Sequence, residues 1–187
     1  NLFKPLFDDE SKIWIGQNTK YDLLVLKWYD VELKGNLFDT MLAHYVVEPD
    51  GKRSMDILSE QFLSYEPVHI EELIGKKGKG QVQGTMRDVE LEKITEYAAE
   101  DADITLQLKE ALFPMLKEKE VERVFYEVEN PLVKVLMNME YEGIKVDVGF
   151  LNEYSKQLEK DAKEAEEKVY SSSGLRFNLA SPKQLGE

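Results

Sequence analysis

Between Asp88 and Lys119 the chain holds one helical register long enough to dictate what must surround it. Taken in steps of three and four, Ile94, Ala98, Asp101, Thr105, Leu108 and Leu112 fall on a single stripe. A helix of this length is stabilised mainly by burying such a stripe, so the segment must pack against other elements. The stripe contains one anomaly. Asp101 sits inside an otherwise largely apolar face, whereas Glu96, Glu100 and Asp103 fall off it and are expected to see water. Tyr97 lies one turn before Asp101, at i−4, so the two side chains are neighbours. Pro114 predicts a kink or break further along.

Upstream, short extended and helical patterns alternate. "KIWIG" (12–16) is a β-branched and aromatic run ending in glycine, which reads as a strand. Asn18 is placed to cap the helical pattern in "QNTKYDLLVLKWYD". On that helix Asp22 shares a face with Asn18, Val25, Leu26 and Tyr29, a second carboxylate on a face expected to look inward. A turn at Gly35-Asn36 and a short strand near Leu37-Phe38 follow. Asp39 can then cap "TMLAHYVVE", which Pro49-Asp50-Gly51 stops, and Ser54 can cap "MDILSEQFL". Trp14, Trp28 and Tyr29 read as core residues, and His44 and His69 as packing or surface residues. Residues 64–86 are polar and glycine-rich and read as a long exposed loop. Its basic island "GKKGKG" (75–80) is a solvated loop or a phosphate contact, but not a P-loop, because Gln81 and Val82 stand where Lys and Ser/Thr would be needed.

Downstream the pattern becomes mostly helical. "VERVFYEVENPLVKVLMNMEYEG" predicts a helix kinked at Pro131 and closed by Gly143. After the extended "IKVDV" comes a long charged amphipathic helix ending at Gly174, and Ser181-Pro182 opens another helix.

The net charge of −13 argues against a generic basic nucleic-acid binder. It leaves room for a nucleic-acid enzyme whose bound divalent metals reverse the local field. The absence of cysteine excludes disulfides and thiolate metal sites. No run approaches the ~18 apolar residues of a membrane span. The opening "NLFKPLFDDE" has neither an initiating Met nor a signal-peptide pattern, and the expectation is a chain cut from something longer.

A buried carboxylate is expensive unless a cation, several donors or a metal compensates it. The plain alternative is that Asp22 and Asp101 are capped or salt-bridged at the edge of the core. Two of them on core-facing stripes, one beside a tyrosine, point instead to a metal site. Carboxylate oxygens are the ligands Mg²⁺ and Mn²⁺ prefer, and metals held this way hydrolyse phosphodiesters. A neighbouring tyrosine hydroxyl can orient the attacking water.

With those residues in view, "NTKYDLLVL" (18–26), "FDTMLAHYVV" (38–47) and "YAAEDADITLQL" (97–108) resemble the proofreading 3′-5′ exonuclease domain of bacterial DNA polymerase I. That domain belongs to the DEDD exonucleases, tyrosine subclass. "EYEGIKVD" (140–147) and "FNLASPKQLGE" (177–187) resemble the start of the polymerase region that follows it. The resemblance implies an α/β, ribonuclease H-like fold, truncated at its N-terminal strands and followed by a mostly helical segment. It divides the chain into an exonuclease part, 1–117, and the helical start of the polymerase domain, 118–187. It implies Asp22 and Asp101 as metal ligands and catalytic residues, and Tyr97 as the residue that positions the nucleophilic water. Asn18, Gln17 and Leu26 would line the substrate site. Two divalent metals, Mg²⁺ or Mn²⁺ with Zn²⁺ also possible, would act on a DNA 3′ end in the bacterial cytoplasm, with a polymerase domain in cis and no membrane.

One departure from the family stands out. Its first motif, a D-x-E pair on the leading strand, has no good match. Asp8 and Glu10 have the spacing but look like loop residues before "KIWIG"; Asp88 and Glu90 read as the start of a helix. The expectation is that this motif lies before Asn1, leaving an incomplete metal site and a chain inactive by itself. The rivals are a non-catalytic exonuclease-like module of a polymerase and a ribonuclease D-like enzyme acting on RNA 3′ ends. The polymerase-like tail counts against the second.

Overall fold

The structure is a computed structural model that describes residues 2–76, 78 and 82–186, so much of the basic island at 75–80 lies outside the described residues. A short helix, α1 (Lys4–Phe7), precedes strand β1 (Ile13–Gly16), helix α2 (Thr19–Trp28) and strand β2 (Asn36–Asp39). The two strands pair in parallel, Ile13 opposite Asn36 through Gly16 opposite Asp39. Parallel neighbours need a crossover, and α2 supplies it. Helix α3 (Thr40–Val47) leaves β2 directly; α4 (Met55–Leu63), α5 (Ile70–Ile74), a 3₁₀ turn (Met86–Asp88) and the long α6 (Leu91–Glu118) follow. Then come α7 (Glu122–Val124), a π-helical turn (Phe125–Glu129), α8 (Asn130–Glu142), α9 (Val148–Ser173) and α10 (Pro182–Gly186). The fold is mixed α/β, mostly helical with a small sheet.

The chain forms two compact units, Asn1–Glu142 and Gly143–Glu187. In the first, Phe38, Ala43, Val47, Leu112, Leu116 and Phe125 make the largest core cluster. Leu58, Ile104 and Leu108 join α4 to α6 in a second cluster. Leu23, Leu37 and Val133 bring α2, β2 and α8 together in a third. The inward stripe of α6 is therefore real from Ile104 to Leu116, but it surfaces towards the N-terminus. Ile94 is half-buried and Ala98 is exposed. Asp101 sits where the core face becomes solvent face.

Four expectations need correction. Pro114 neither breaks nor ends α6, which continues to Glu118. Pro114 and Glu110 are both exposed, so the carbonyl that loses its intrahelical partner can be hydrated, while Leu112 and Leu116 bury the other face. The stretch 64–86 is not wholly loop, since it contains α5. Trp28 and Tyr29 are 61% and 76% exposed, because Thr19 and Leu23 mark the buried side of α2. Of the three aromatics only Trp14 packs at a core edge, its indole N–H donating to the Lys34 carbonyl at 2.6 Å. The irregularity expected at Pro131 appears as the π turn just before it, where the ring would crowd the Glu127 carbonyl in a regular helix. Gly143 follows α8 with φ +69°.

In the second unit, Asp147 accepts the Phe150 N–H at 2.9 Å to start α9, and Gly174 at φ +70° ends it. The chain then folds back on α9. Phe177 packs edge-on against Tyr170, whose hydroxyl donates to the Phe177 carbonyl at 2.8 Å, and Arg176 pairs with Glu167.

His44 is fully buried on α3 against Phe62, and neither ring nitrogen has a hydrogen-bond partner. Burial pushes its pKa below the ordinary 6.5; Glu48 opposes this and Arg53 adds to it. The unfolded chain therefore takes up this proton first. The stability contributed by neutral His44 is complete above pH 6.5 and is lost as the pH falls from there towards the folded value. Asp22 and Asp101, whose pKa values are raised, act oppositely as the pH approaches the carboxylate range. The urea midpoint of the first unit, read by tryptophan fluorescence between about pH 7.5 and 5.5, should fall in the native chain and flatten in His44→Leu.

Candidate active site

Both strands end at the same level, and α2, which carries Asp22, and α3 leave from that edge. In open parallel α/β sheets, sites form outside the carboxyl ends of the strands. Asp39 organises this edge. It is 2% exposed and caps α3 in the way the sequence predicts, accepting the Met41 and Leu42 N–H groups at 2.9 and 3.2 Å. It also accepts the Thr19 N–H and hydroxyl, both at 2.7 Å, and the Asn18 N–H at 3.3 Å. One carboxylate thus closes the N-termini of α2 and α3 together. Asn18 occupies the N-cap position of α2, as expected, but its side chain makes no capping bond. It adopts φ +64°, a left-handed conformation that Asn tolerates better than most residues. Ser54 likewise precedes α4 without a side-chain cap.

Gly16 makes the junction tight. A Cβ there would lie 2.5 Å from the Thr19 methyl and 3.9 Å from an Asp22 carboxylate oxygen. Asp22 therefore folds back over the end of β1. It remains exposed to solvent, yet the protein beneath removes enough hydration to raise its pKa, and the nearby Asp39 charge raises it further. Asn18 is exposed and Leu26 is half-buried. Gln17 is committed internally, donating to the Arg53 carbonyl at 2.8 Å and accepting from the Thr40 hydroxyl.

On α6, Tyr97 and Asp101 are both half-buried. Desolvation raises the Asp101 pKa, the neighbouring Tyr97 hydroxyl opposes it, and the Glu100 and Asp56 charges add to the rise. Desolvation, followed by Asp101, likewise raises the Tyr97 pKa. Glu96 and Asp103 are exposed as expected, but Glu100 is not left in water. Its carboxylate is half-buried and accepts the Tyr65 hydroxyl at 2.5 Å and the Val68 N–H at 2.9 Å. His69 stands 3.6 Å from Asp56.

The structure sets Tyr97 beside Asp101 on α6, and Asp22 beside the Gly16–Asp39 edge. The charges felt by Asp22 and by Asp101 come from different neighbours, Asp39 for one and Glu100 with Asp56 for the other. The sequence reading missed the second role of Asp39, the burial of Glu100, and Arg53. The Arg53 guanidinium lies over Tyr45 with its Nε buried and without a partner. No sequence periodicity marks Arg53, because it lies between helices.

Asp22 and Asp101 suit a hard divalent cation in kind: both are oxygen donors raised in pKa by desolvation, and among the described residues no cationic side chain is a cause of either shift. In number they fall short. Among the described residues no group of three or more His, Cys, Asp or Glu is placed to hold a metal. Asp8 pairs with Lys4 at 2.9 Å beyond the end of α1, and Glu10 is exposed before β1. Asp88 lies in the 3₁₀ turn and Glu90 immediately precedes α6. Neither D-x-E pair lies on a strand.

A family described as 3′-5′ exonuclease matches residues 1–117. The chain is 42% identical over 185 residues to a DNA polymerase I of Rhizobium leguminosarum, covering 98% of this chain and 18% of that protein. It is 38% identical over 187 residues to a DNA polymerase I of Pseudomonas aeruginosa, covering 98% and 20%. It thus spans about a fifth of the length of these curated relatives. Its fold is similar, with TM-score 0.79 and 24% identity, to the POL domain of Pol1 from M. smegmatis in complex with DNA primer-template and dNTP, over 98% of this chain and 28% of that one.

Proposed function

The chain belongs to the 3′-5′ exonuclease family, and from that membership we propose that it is the proofreading region of a DNA polymerase I, acting on the 3′-terminal phosphodiester of DNA. One observation carries the reading. Asp22, exposed at the strand edge, and half-buried Asp101 beside Tyr97 both lose enough hydration to raise their pKa values, and among the described residues no cationic side chain is a cause. Asp22 and Asp101 would hold divalent metal, Mg²⁺ or Mn²⁺. When bound, the metal supplies activation of water and stabilisation of the leaving oxygen. Tyr97 orients the attacking water through its hydroxyl, with Asp101 fixing the tyrosine. Asn18, exposed at the edge, contacts the terminal nucleotide, and Leu26 supports the helix beneath it. Gln17 acts through Thr40 and Arg53, so its part is to hold the edge. Residues 118–187 form the helical start of a polymerase domain lying in cis.

The donor set of two sets the expected activity of this chain by itself. With Mg²⁺ or Mn²⁺, the 187-residue chain should trim a 3′-labelled single-stranded oligonucleotide slowly or not at all. Robust trimming that Asp22→Ala abolishes would overturn the half-site argument. The same two-donor set favours one other reading, a non-catalytic exonuclease-like module. Joining the chain to the D-x-E strand of a relative separates the two: an enzyme gains metal-dependent trimming and a module does not. A preference for RNA over DNA 3′ ends in that assay would favour a ribonuclease D-like activity.

A further inference from the structure

Glu100 stands next to Asp101 in sequence, and its carboxylate is engaged by a segment that reads as loop. Tyr65 follows α4 and is tied back to it, its N–H reaching the buried Ser59 carbonyl at 3.3 Å and its own carbonyl accepting the Ser59 hydroxyl at 2.8 Å. Two residues later Pro67 is buried, and Val68 and His69 are half-buried. One Glu100 oxygen takes the Tyr65 hydroxyl at 2.5 Å and the other the Val68 N–H at 2.9 Å. At the end of the segment, His69 faces Asp56 of α4 at 3.6 Å. The stretch 65–69 is therefore pinned to α4 at both ends and to α6 in the middle. Its attachment to α6 lies one turn from Tyr97.

We propose that Glu100 is a positioning residue, a two-pronged latch that fixes segment 65–69 against α6 and so sets the wall beside Tyr97 and Asp101. The proposal rests on the exonuclease reading for its purpose, but not for its geometry. Charge-assisted bonds are the stronger kind, and here both carboxylate oxygens are used. Releasing the segment would give up both charge-assisted bonds at once, so the latch disfavours the open arrangement. It also spends a negative charge on local donors in a region a polyanionic strand must approach.

The test uses the full chain, isotope-labelled, with amide exchange and tyrosine ring signals read by NMR. In Glu100→Ala, exchange at the Val68 amide should rise on the order of tenfold while the Leu108 and Leu112 amides hold their rates. Glu100→Gln, which keeps one acceptor oxygen, should fall between. The Tyr97 ring signals should move in Glu100→Ala and, in the same direction, in Tyr65→Phe, which leaves the Glu100 charge in place. Unchanged Val68 exchange in Glu100→Ala overturns the latch. So does a Tyr97 shift that is equal in Glu100→Gln and Glu100→Ala and absent in Tyr65→Phe, since that pattern reports charge alone. If Glu100→Ala does not fold, Tyr65→Phe carries the test, because it removes one exposed hydroxyl. Failure of the exonuclease reading would appear separately, in the trimming assay.

Discussion

Asp39→Ala is expected to destabilise the first unit by about 4 kcal/mol. The side chain is buried and accepts from Asn18, Thr19 (twice), Met41 and Leu42. Loss of one helix cap costs about 1 kcal/mol, and here two helices lose theirs. The remainder comes from buried N–H groups left without acceptors, each worth about 1–3 kcal/mol, discounted because the bonds act as a unit. Asp39→Asn keeps one acceptor oxygen and should lose about half as much. Urea titration followed by tryptophan fluorescence reads this directly, because Trp14 and Trp28 both lie in the first unit. A loss below about 1 kcal/mol for the alanine variant would mean that α2 and α3 are held together by apolar packing alone.

The second large effect is catalytic and follows from the proposed function. In a complete polymerase containing this chain, Asp22→Ala and Asp101→Ala should each lower 3′-5′ trimming by about 10³-fold or more, a loss near 4 kcal/mol of transition-state stabilisation. Tyr97→Phe should cost less, about 10–100-fold, because water retains other partners. DNA synthesis by the same protein should be unaffected. Circular dichroism separates lost chemistry from lost folding: Asp22 is exposed and Asp101 half-buried, so neither alanine should unfold the unit. Full trimming by Asp101→Ala would remove α6 from the chemistry.

What the sequence made legible is what neighbours along the chain decide. The strand at "KIWIG", the cap by Asp39 on α3, and the ends of α8 and α9 at Gly143 and Gly174 all depend on a few adjacent residues. The pairing of Tyr97 with Asp101 is of the same kind, being an i, i+4 relation fixed by helix geometry. Motif spacing carried the family. The misreadings share a different origin. Helical periodicity gives the angle of a side chain around its axis, but not how far along that axis a neighbouring element extends. Ala98 lies on the stripe of Leu108 and is exposed because the core beside α6 ends before it. Trp28 and Tyr29 look apolar enough for a core, but Thr19 and Leu23 define the buried side of α2.

By itself, then, the sequence determined the alternation of elements and the inward turn of α6 from Ile104 to Leu116, because each depends on local geometry or residue type. Only the tertiary structure decided which polar groups are shared between distant segments. Asp39 reaches back to Thr19, and Glu100 reaches across to Tyr65 and Val68. Hydrogen bonds between residues far apart in the chain leave no periodic trace. They exist because packing has already brought the donors to the carboxylate, and desolvation then makes leaving them unpaired costly.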